Sequence, residues 1–346
     1  MNHENIIKTQ KFLGCEIGGV SIGIKIQTNL VNKLIHFRKR IEDFVTHYPF
    51  DLELTILTSP ENPLNPYSEN EKVNKIDELM NFLPQKASHL LSTGLMEKRL
   101  DLLFGSPLFN NLHFRARISG NRVSMISFDI GFLFMDFGNR ESFLLFDNPQ
   151  GEKGSIKNEH WWNKAYLTIL NSIMAMLSLT LPEQDGVLVH GIGVRRNREG
   201  FLFLAPSGGG KSTLAMRCSG NEVLADDGII IRKISNSYQI FPTPFRQRPG
   251  GEISKLAWAL ESVVLKGAFL LEKGNDIRLT LIPRFQLVHS LIGSFSQFFL
   301  WMDNIQAKSI FDFWHEFSLR LPIAKLSWRP ELDFWPQVYA FIHEVD

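Results

Sequence analysis

Between Phe201 and Cys218 the chain reads FLFLAPSGGGKSTLAMRC, and this stretch limits the fold more than any other. Phe201 to Leu204 is a fully apolar run of strand length. Ala205-Pro206-Ser207-Gly208-Gly209-Gly210 cannot continue it, because three successive glycines free the backbone from the conformations a side chain imposes. Lys211 onward carries helix formers, and Gly220 marks the expected helix end. Strand, glycine loop and helix in that order form one unit of an α/β architecture.

The loop follows the phosphate-loop pattern G-x-x-x-x-G-K-[ST], with Ala205 where the pattern has its first glycine. Successive N–H groups of such a loop turn into one concavity that suits phosphate oxygens. The start of the following helix adds partial positive charge. Lys211 can reach the β- and γ-phosphates of a nucleotide, and the Ser212 hydroxyl can ligate Mg²⁺. Ser207, Gly208, Gly209, Gly210, Lys211, Ser212 and Thr213 are therefore the candidate nucleotide-holding residues. A hydrolase reading competes: Ala205-Pro206-Ser207-Gly208-Gly209 resembles a degenerate nucleophile elbow, with Ser207 as nucleophile and His289, His315 or His343 as base. It leaves Lys211, Ser212 and Thr213 without a role, and the phosphate loop is preferred.

The flanks carry further candidates. Val187 to Arg196, VLVHGIGVRR, reads as a strand holding His190, and its hairpin leads into the loop, so His190 is placed to face a transferred phosphoryl group. Glu222 to Ala225 is a short strand closed by Asp226 and Asp227, 15 and 16 residues after Lys211. A helix and a return strand fill that gap and bring the two carboxylates back beside the loop, where one can serve Mg²⁺ and the other an acceptor hydroxyl. Asp-Asp-Gly is also an ordinary hairpin sequence, but its place downstream of the loop favours function. Arg246 and Arg248 follow the turn Pro242-Thr243-Pro244 and suit either a phosphate or a solvated loop.

VHGIGV, GFLFLAPSGGGKSTLA and VLADD, in this order, resemble the catalytic domain of bacterial HPr kinase/phosphorylase from about Gly186 to Lys233. That domain has a P-loop fold related to phosphoenolpyruvate carboxykinase. The resemblance implies that Lys211 and Ser212 hold nucleotide phosphates and Mg²⁺, that Asp226 supports the metal, that Asp227 is the base toward an acceptor hydroxyl, and that His190 lies near the γ-phosphate. RQRPGGE occupies the region of that family's substrate-docking signature, and the loop-to-Asp spacing is slightly shorter. The chain thus looks more like the HPr kinase-like proteins encoded beside peptide-modifying enzymes, whose implied acceptor is a peptide or small molecule.

The remainder reads more plainly. Of 346 residues, 37 are Lys or Arg and 36 Asp or Glu, a formal net charge of +1 that gives no footing to nucleic-acid binding through bulk charge. Phe occurs 28 times, read as bulky cores or an interface, including one between copies of the chain. The two cysteines, Cys15 and Cys218, have no disulfide or zinc spacing and read as reduced thiols. The first residues, MNHENIIKTQKF, have no signal-peptide core, and the apolar stretch Ala165 to Leu181 reads as a buried helix too short for a comfortable membrane span. The expected location is cytoplasmic, with no membrane partner. Gly14 to Thr28 reads as a strand or hairpin, Val31 to Phe44 as a helix with a solvated basic face (Lys33, Arg38, Lys39, Arg40), Leu52 to Leu57 as a strand, Thr58 to Ser68 as a loop, and Asn111 to Asn148 as a β-meander. Asn74-Lys75-Ile76-Asp77 matches a guanine-selecting tetrapeptide but precedes the loop, and reads as helix surface. No ABC-type signature is present. Pro149 to Asn158 reads as a linker, Phe285 to Phe299 and Ile305 to Leu319 as helices, Ala324 to Trp328 as a strand, and a last helix is expected to start near Glu331, just after Pro330.

The expectation is a two-part α/β protein: an N-terminal α+β domain over residues 1–150, and a phosphoenolpyruvate carboxykinase-like, HPr kinase-like P-loop domain over 159–346. Its expected function is ATP- and Mg²⁺-dependent phosphoryl transfer to a hydroxyl of a peptide, a protein serine or a small molecule, with a peptide-modifying enzyme as a further partner. The alternative is a non-catalytic ATP-binding adaptor that regulates a partner enzyme.

Overall fold

Alternating apolar residues build a first, seven-stranded sheet. The computed structural model describes residues 9–27, 37–38, 41–46, 50–58, 114–118, 123–128, 131–136, 140–146, 159–206, 208–218, 222–246, 259–292, 302 and 304–345. The strands are β1 (Thr9–Ile17), β2 (Val20–Gln27), β3 (Leu52–Thr58), β4 (Phe114–Ile118), β5 (Val123–Phe128), β6 (Gly131–Asp136) and β7 (Glu141–Phe146), in spatial order β1-β2-β3-β7-β6-β5-β4. Gly18 and Gly19, both at positive φ (+62° and +77°), make the two-residue turn of the β1–β2 hairpin. Ile22, Ile24 and Ile26 of β2 and Leu54 and Ile56 of β3 are fully buried, the period-2 signature of a one-sided core. β2, β3 and β7 pair parallel, and β4 to β7 form the expected antiparallel meander.

The chain divides into two compact units, Met1–Glu16 with Val20–Ile173, and Ile17–Gly19 with Met174–Asp346. The division falls within helix α1 (Glu159–Thr180). This helix ends where a short 3₁₀ turn, Leu181–Gln184, takes in Pro182. By length and composition Trp161–Gln184 is enough to cross a membrane, which corrects the expectation that it falls short; 78% of its apolar window is buried within the protein, as in a core helix.

The second sheet has eight strands: β8 (Gly186–Arg196), β9 (Glu199–Leu204), β10 (Val223–Ala225), β11 (Gly228–Ile234), β12 (Ser237–Phe241), β13 (Val263–Lys273), β14 (Arg278–Leu281) and β15 (Ile323–Trp328). Its pairings close on themselves: β8 with β9, β9 with β13, β13 with β12, β12 with β11, and β11 with β8. Closure needs strands to approach tightly. A Cβ on Gly193 would lie 2.7 Å from Ile229, and one on Gly200 2.9 Å from the Val264 carbonyl. Glycine at both positions makes the curl possible.

Among the described residues four helices accompany this sheet: α2 (Lys211–Arg217), α3 (Arg284–Ser290), α4 (Asn304–Arg320) and α5 (Trp335–Val345). A core of Ile192, Phe201, Phe203, Leu214, Phe269, Trp328, Trp335 and Val338 joins β8, β9, β13 and β15 to α2 and α5. Phe203 sits at its centre, with ring centroids 5.5 Å from Phe269, 5.7 Å from Phe334 and 5.9 Å from Trp335. The last helix starts at Trp335 rather than near Glu331, because the Asp333 carboxylate accepts from the Trp335 N–H at 3.1 Å and caps it there. α2 stops at Arg217, with Cys218 extended, before the Gly220 expected to end it.

Ser207, Gly220, Arg248, the loop 59–68, the tetrapeptide 74–77, the linker 149–158, the later part of the helix read across 285–299 and much of the helix read across 31–44 lie outside the described residues. Cys15 and Cys218 are free and buried, and burial pushes both thiols up to about 12.

Candidate functional site

β9, β13 and β15 run parallel, so their C-terminal ends share one edge of the sheet. The glycine loop leaves from that edge, directly after Leu204. Gly208 and Gly210 hold φ of +76° and +98°, the left-handed region where a Cβ is costly. A side chain on Gly208 would meet nothing within 4 Å, whereas one on Gly210 would come 3.5 Å from the Trp328 indole. Gly209 has a different constraint. Its N–H donates to the Pro206 carbonyl at 3.0 Å, and a Cβ there would lie 2.6 Å from the Ala205 methyl. Ala205 is fully buried in the core. The methyl that departs from the glycine pattern is thus accommodated by the glycine four residues on.

α2 begins at Lys211, with the Leu214 N–H bonded to the Gly210 carbonyl at 2.9 Å. Ser212 and Thr213 fall in its first turn, both half-buried. Lys211 is 6% exposed, and its Nζ donates to the carbonyls of Ala205 at 2.5 Å and Pro206 at 3.2 Å. Burial lowers the ammonium from its ordinary value, while the nearby carboxylates of Asp227 and Asp226 act in the opposite sense. The lysine therefore bonds the loop's own backbone and stands within electrostatic reach of both acids.

The acids are placed by strand register. Ala225 pairs with Gly193 and Gly228 with His190, so Asp226 and Asp227 fall opposite Ile192 and Gly191 in the gap between β10 and β11. The Gly191 N–H donates to the Asp227 carbonyl at 3.2 Å and continues the ladder across the gap. Successive strand residues point to opposite faces. Asp226 is accordingly buried, at 1% exposure, while the Asp227 side chain is 43% exposed. His190 Nδ1 lies 3.0 Å from Asp227 Oδ1 and 3.0 Å from the Asp227 carbonyl oxygen.

Beyond β12 the chain returns to the same place. Thr243 is fully buried; its hydroxyl donates to the Gly228 carbonyl and accepts from the Phe245 N–H at 3.2 Å. A Cβ on Gly228 would lie 3.1 Å from the Phe245 side chain, so glycine after Asp227 lets this segment pass without displacing Phe245. Arg246, half-buried, follows directly.

The structure thus brings together Gly208, Gly209, Gly210, Lys211, Asp226, Asp227 and His190. Ser207 lies outside the described residues. His289, His315 and His343 are exposed on α3, α4 and α5, whereas His190 has a carboxylate partner in Asp227. Sequence reasoning passed over Trp328 and the Thr243–Phe245 clamp, whose one visible signal was the Pro-Thr-Pro turn. Among the described residues no three His, Cys, Asp and Glu side chains gather as a protein-only metal site. Chemically, the arrangement offers a glycine loop with open space beside Gly208, a buried cation and a carboxylate–imidazole pair able to accept or deliver a proton.

No curated protein matches the chain. Residues 154–338, more than half of its length, match the family described as SynChlorMet cassette protein ScmC, and the chain belongs to that family.

Proposed function

We propose that the second unit is a P-loop, HPr kinase-like phosphotransferase that moves the γ-phosphoryl group of ATP to a hydroxyl of a peptide, a protein serine or a small molecule. The observation that carries this reading is Lys211: a buried lysine at the base of a glycine loop, within reach of two carboxylates on the return strand. The loop fits phosphate oxygens. Gly208 leaves open space where a side chain would stand, and the left-handed glycines turn the backbone without one. On phosphate binding, Lys211 would exchange its bonds to the Ala205 and Pro206 carbonyls for bonds to phosphate oxygens. Ser212 and Asp226 suit a Mg²⁺ held largely by phosphate and water, because Mg²⁺ takes few protein ligands. When bound, the ion would neutralise charge on the phosphates. The rest of catalysis is positioning, with the Asp227–His190 pair receiving the acceptor's proton. Free buried thiols suit a reducing, cytoplasmic setting.

An adaptor that reads ATP occupancy and regulates a partner is the second reading; it needs the phosphate cradle but no base. The experiment is transfer of labelled γ-phosphate from ATP–Mg²⁺ to candidate peptides, with ATP hydrolysis as the fallback. Transfer or hydrolysis abolished by Lys211→Ala supports the phosphotransferase. Absence of both, with ATP altering affinity for a partner protein, supports the adaptor.

A further inference from the structure

We propose that the proton-accepting atom of this site is His190 Nε2, and that Asp227 is the residue that orients and stabilises the imidazole rather than the base itself. The inference rests on the phosphotransferase reading and assigns the base within it.

The geometry settles which ring nitrogen carries hydrogen. His190 Nδ1 has two neighbours at 3.0 Å, the Asp227 carboxylate Oδ1 and the Asp227 carbonyl oxygen. An ionised carboxylate and a carbonyl only accept hydrogen bonds. Nδ1 must therefore be the donor, and the neutral ring carries its lone pair on Nε2. The backbone makes this arrangement durable. His190 pairs with Gly228 in the ladder, and the Asp227 carbonyl that accepts from the ring also accepts from the Gly191 N–H. The imidazole cannot turn over without losing both oxygens. An Asp carboxylate on Nδ1–H, with Nε2 on the other side of the ring, is the relation in which a histidine serves as base and the acid holds its tautomer.

Asp227 Oδ1 is committed to Nδ1–H, and a carboxylate is ordinarily a weaker base than an imidazole, so the pair works best with the transferred proton on the ring. The step then balances as follows. The acceptor O–H proton passes to Nε2 as its oxygen bonds to the γ-phosphorus of ATP. The bond from that phosphorus to the β–γ bridging oxygen breaks, and its electron pair leaves on ADP. The imidazolium so formed lies against the Asp227 carboxylate.

Two variants separate the candidates. In His190→Asn the side-chain amide takes the place of Nδ1–H and can still donate to Asp227, but nothing stands at Nε2. Transfer, or ATP hydrolysis if no acceptor is in hand, should fall by roughly 10²–10⁴, the usual worth of a general base. Nucleotide affinity should stay within about threefold. Asp227→Asn keeps the backbone carbonyl on Nδ1–H and loses only the carboxylate, so its loss should not exceed that of His190→Asn. Imidazole in the buffer should restore part of the activity of His190→Ala. Nitrogen-15 NMR of the nucleotide-free protein above the histidine titration should show Nδ1 protonated and Nε2 not. Wild-type transfer by His190→Asn, a larger loss in Asp227→Asn than in His190→Asn, or an Nε2–H tautomer would each overturn the assignment. If wild type neither transfers phosphate nor hydrolyses ATP, it is the phosphotransferase reading that fails, and the tautomer still reports on the ring by itself.

Discussion

In the first sheet Lys25 of β2 lies 2.6 Å from Glu53 of β3, and their side chains are 43% and 35% exposed. In the second unit Lys211 is 6% exposed and bonds two backbone carbonyls, with Asp226, 1% exposed, among the carboxylates that act on it. The first pair is a surface ion bridge between neighbouring strands, satisfied within itself and screened by water. The second arrangement keeps charge in a low-dielectric place, which costs stability unless something else uses it. Ser21 and Asp51 repeat the first pattern: the Ser21 N–H and hydroxyl each donate to Asp51 Oδ2 at 2.8 Å. Charge that is settled and exposed reads as structure; charge that is buried beside a left-handed glycine loop reads as a site.

Four measurements test that contrast. The largest effect should come from Asp226→Asn. Removing a buried carboxylate from the cation's neighbourhood should raise the Mg²⁺ concentration needed for half-maximal nucleotide binding by about tenfold or more. An unchanged Mg²⁺ titration would detach Asp226 from the site. Next, Gly209→Ala should destabilise the protein by roughly 1–3 kcal/mol through overpacking on Ala205, and the double variant Ala205→Gly/Gly209→Ala should recover most of the loss in urea unfolding. Additive losses would mean that the two positions do not oppose each other.

The third measurement tests a property the two units share. Cys15 and Cys218 have folded values raised to about 12 from an ordinary 9.0. Above pH 9 an unfolded thiol ionises while the folded one does not. Stability is therefore full below pH 9 and declines between about 9 and 12, by about 1.4 kcal/mol per pH unit for each thiol. Cys218→Ala should remove its share of that slope in unfolding between pH 8 and 10.5; an unaltered slope would contradict its burial. The smallest effect belongs to Lys25. A double-mutant cycle with Glu53 should return under about 1 kcal/mol and shrink in high salt.

What the sequence showed was local. The strand, glycine loop and first helical turn from Phe201 to Lys211 were legible because each residue's own preference agrees with the structure. The meander of β4 to β7 was legible from its turn residues. The His190–Asp227 contact was not, because 37 residues separate the partners and only the register of β8 against β11 joins them. The closed circuit of strands was hidden for the same reason: Gly193 and Gly200 matter through neighbours distant in sequence. Helix α5 started late because Asp333, not Pro330 or Glu331, supplies its cap. Trp328 gave no sign in the sequence that its indole would stand beside Gly210.

The central claim is that the second unit's loop holds nucleotide phosphates through Lys211. Titration calorimetry of ATP–Mg²⁺ into wild type and Lys211→Ala tests it most directly, with circular dichroism confirming that both are folded. The account predicts saturable binding by wild type and an affinity lower by roughly 10²-fold or more in the variant, since a desolvated cation–phosphate contact is lost. Equal affinity in the two folded proteins, or no binding by wild type, would contradict it.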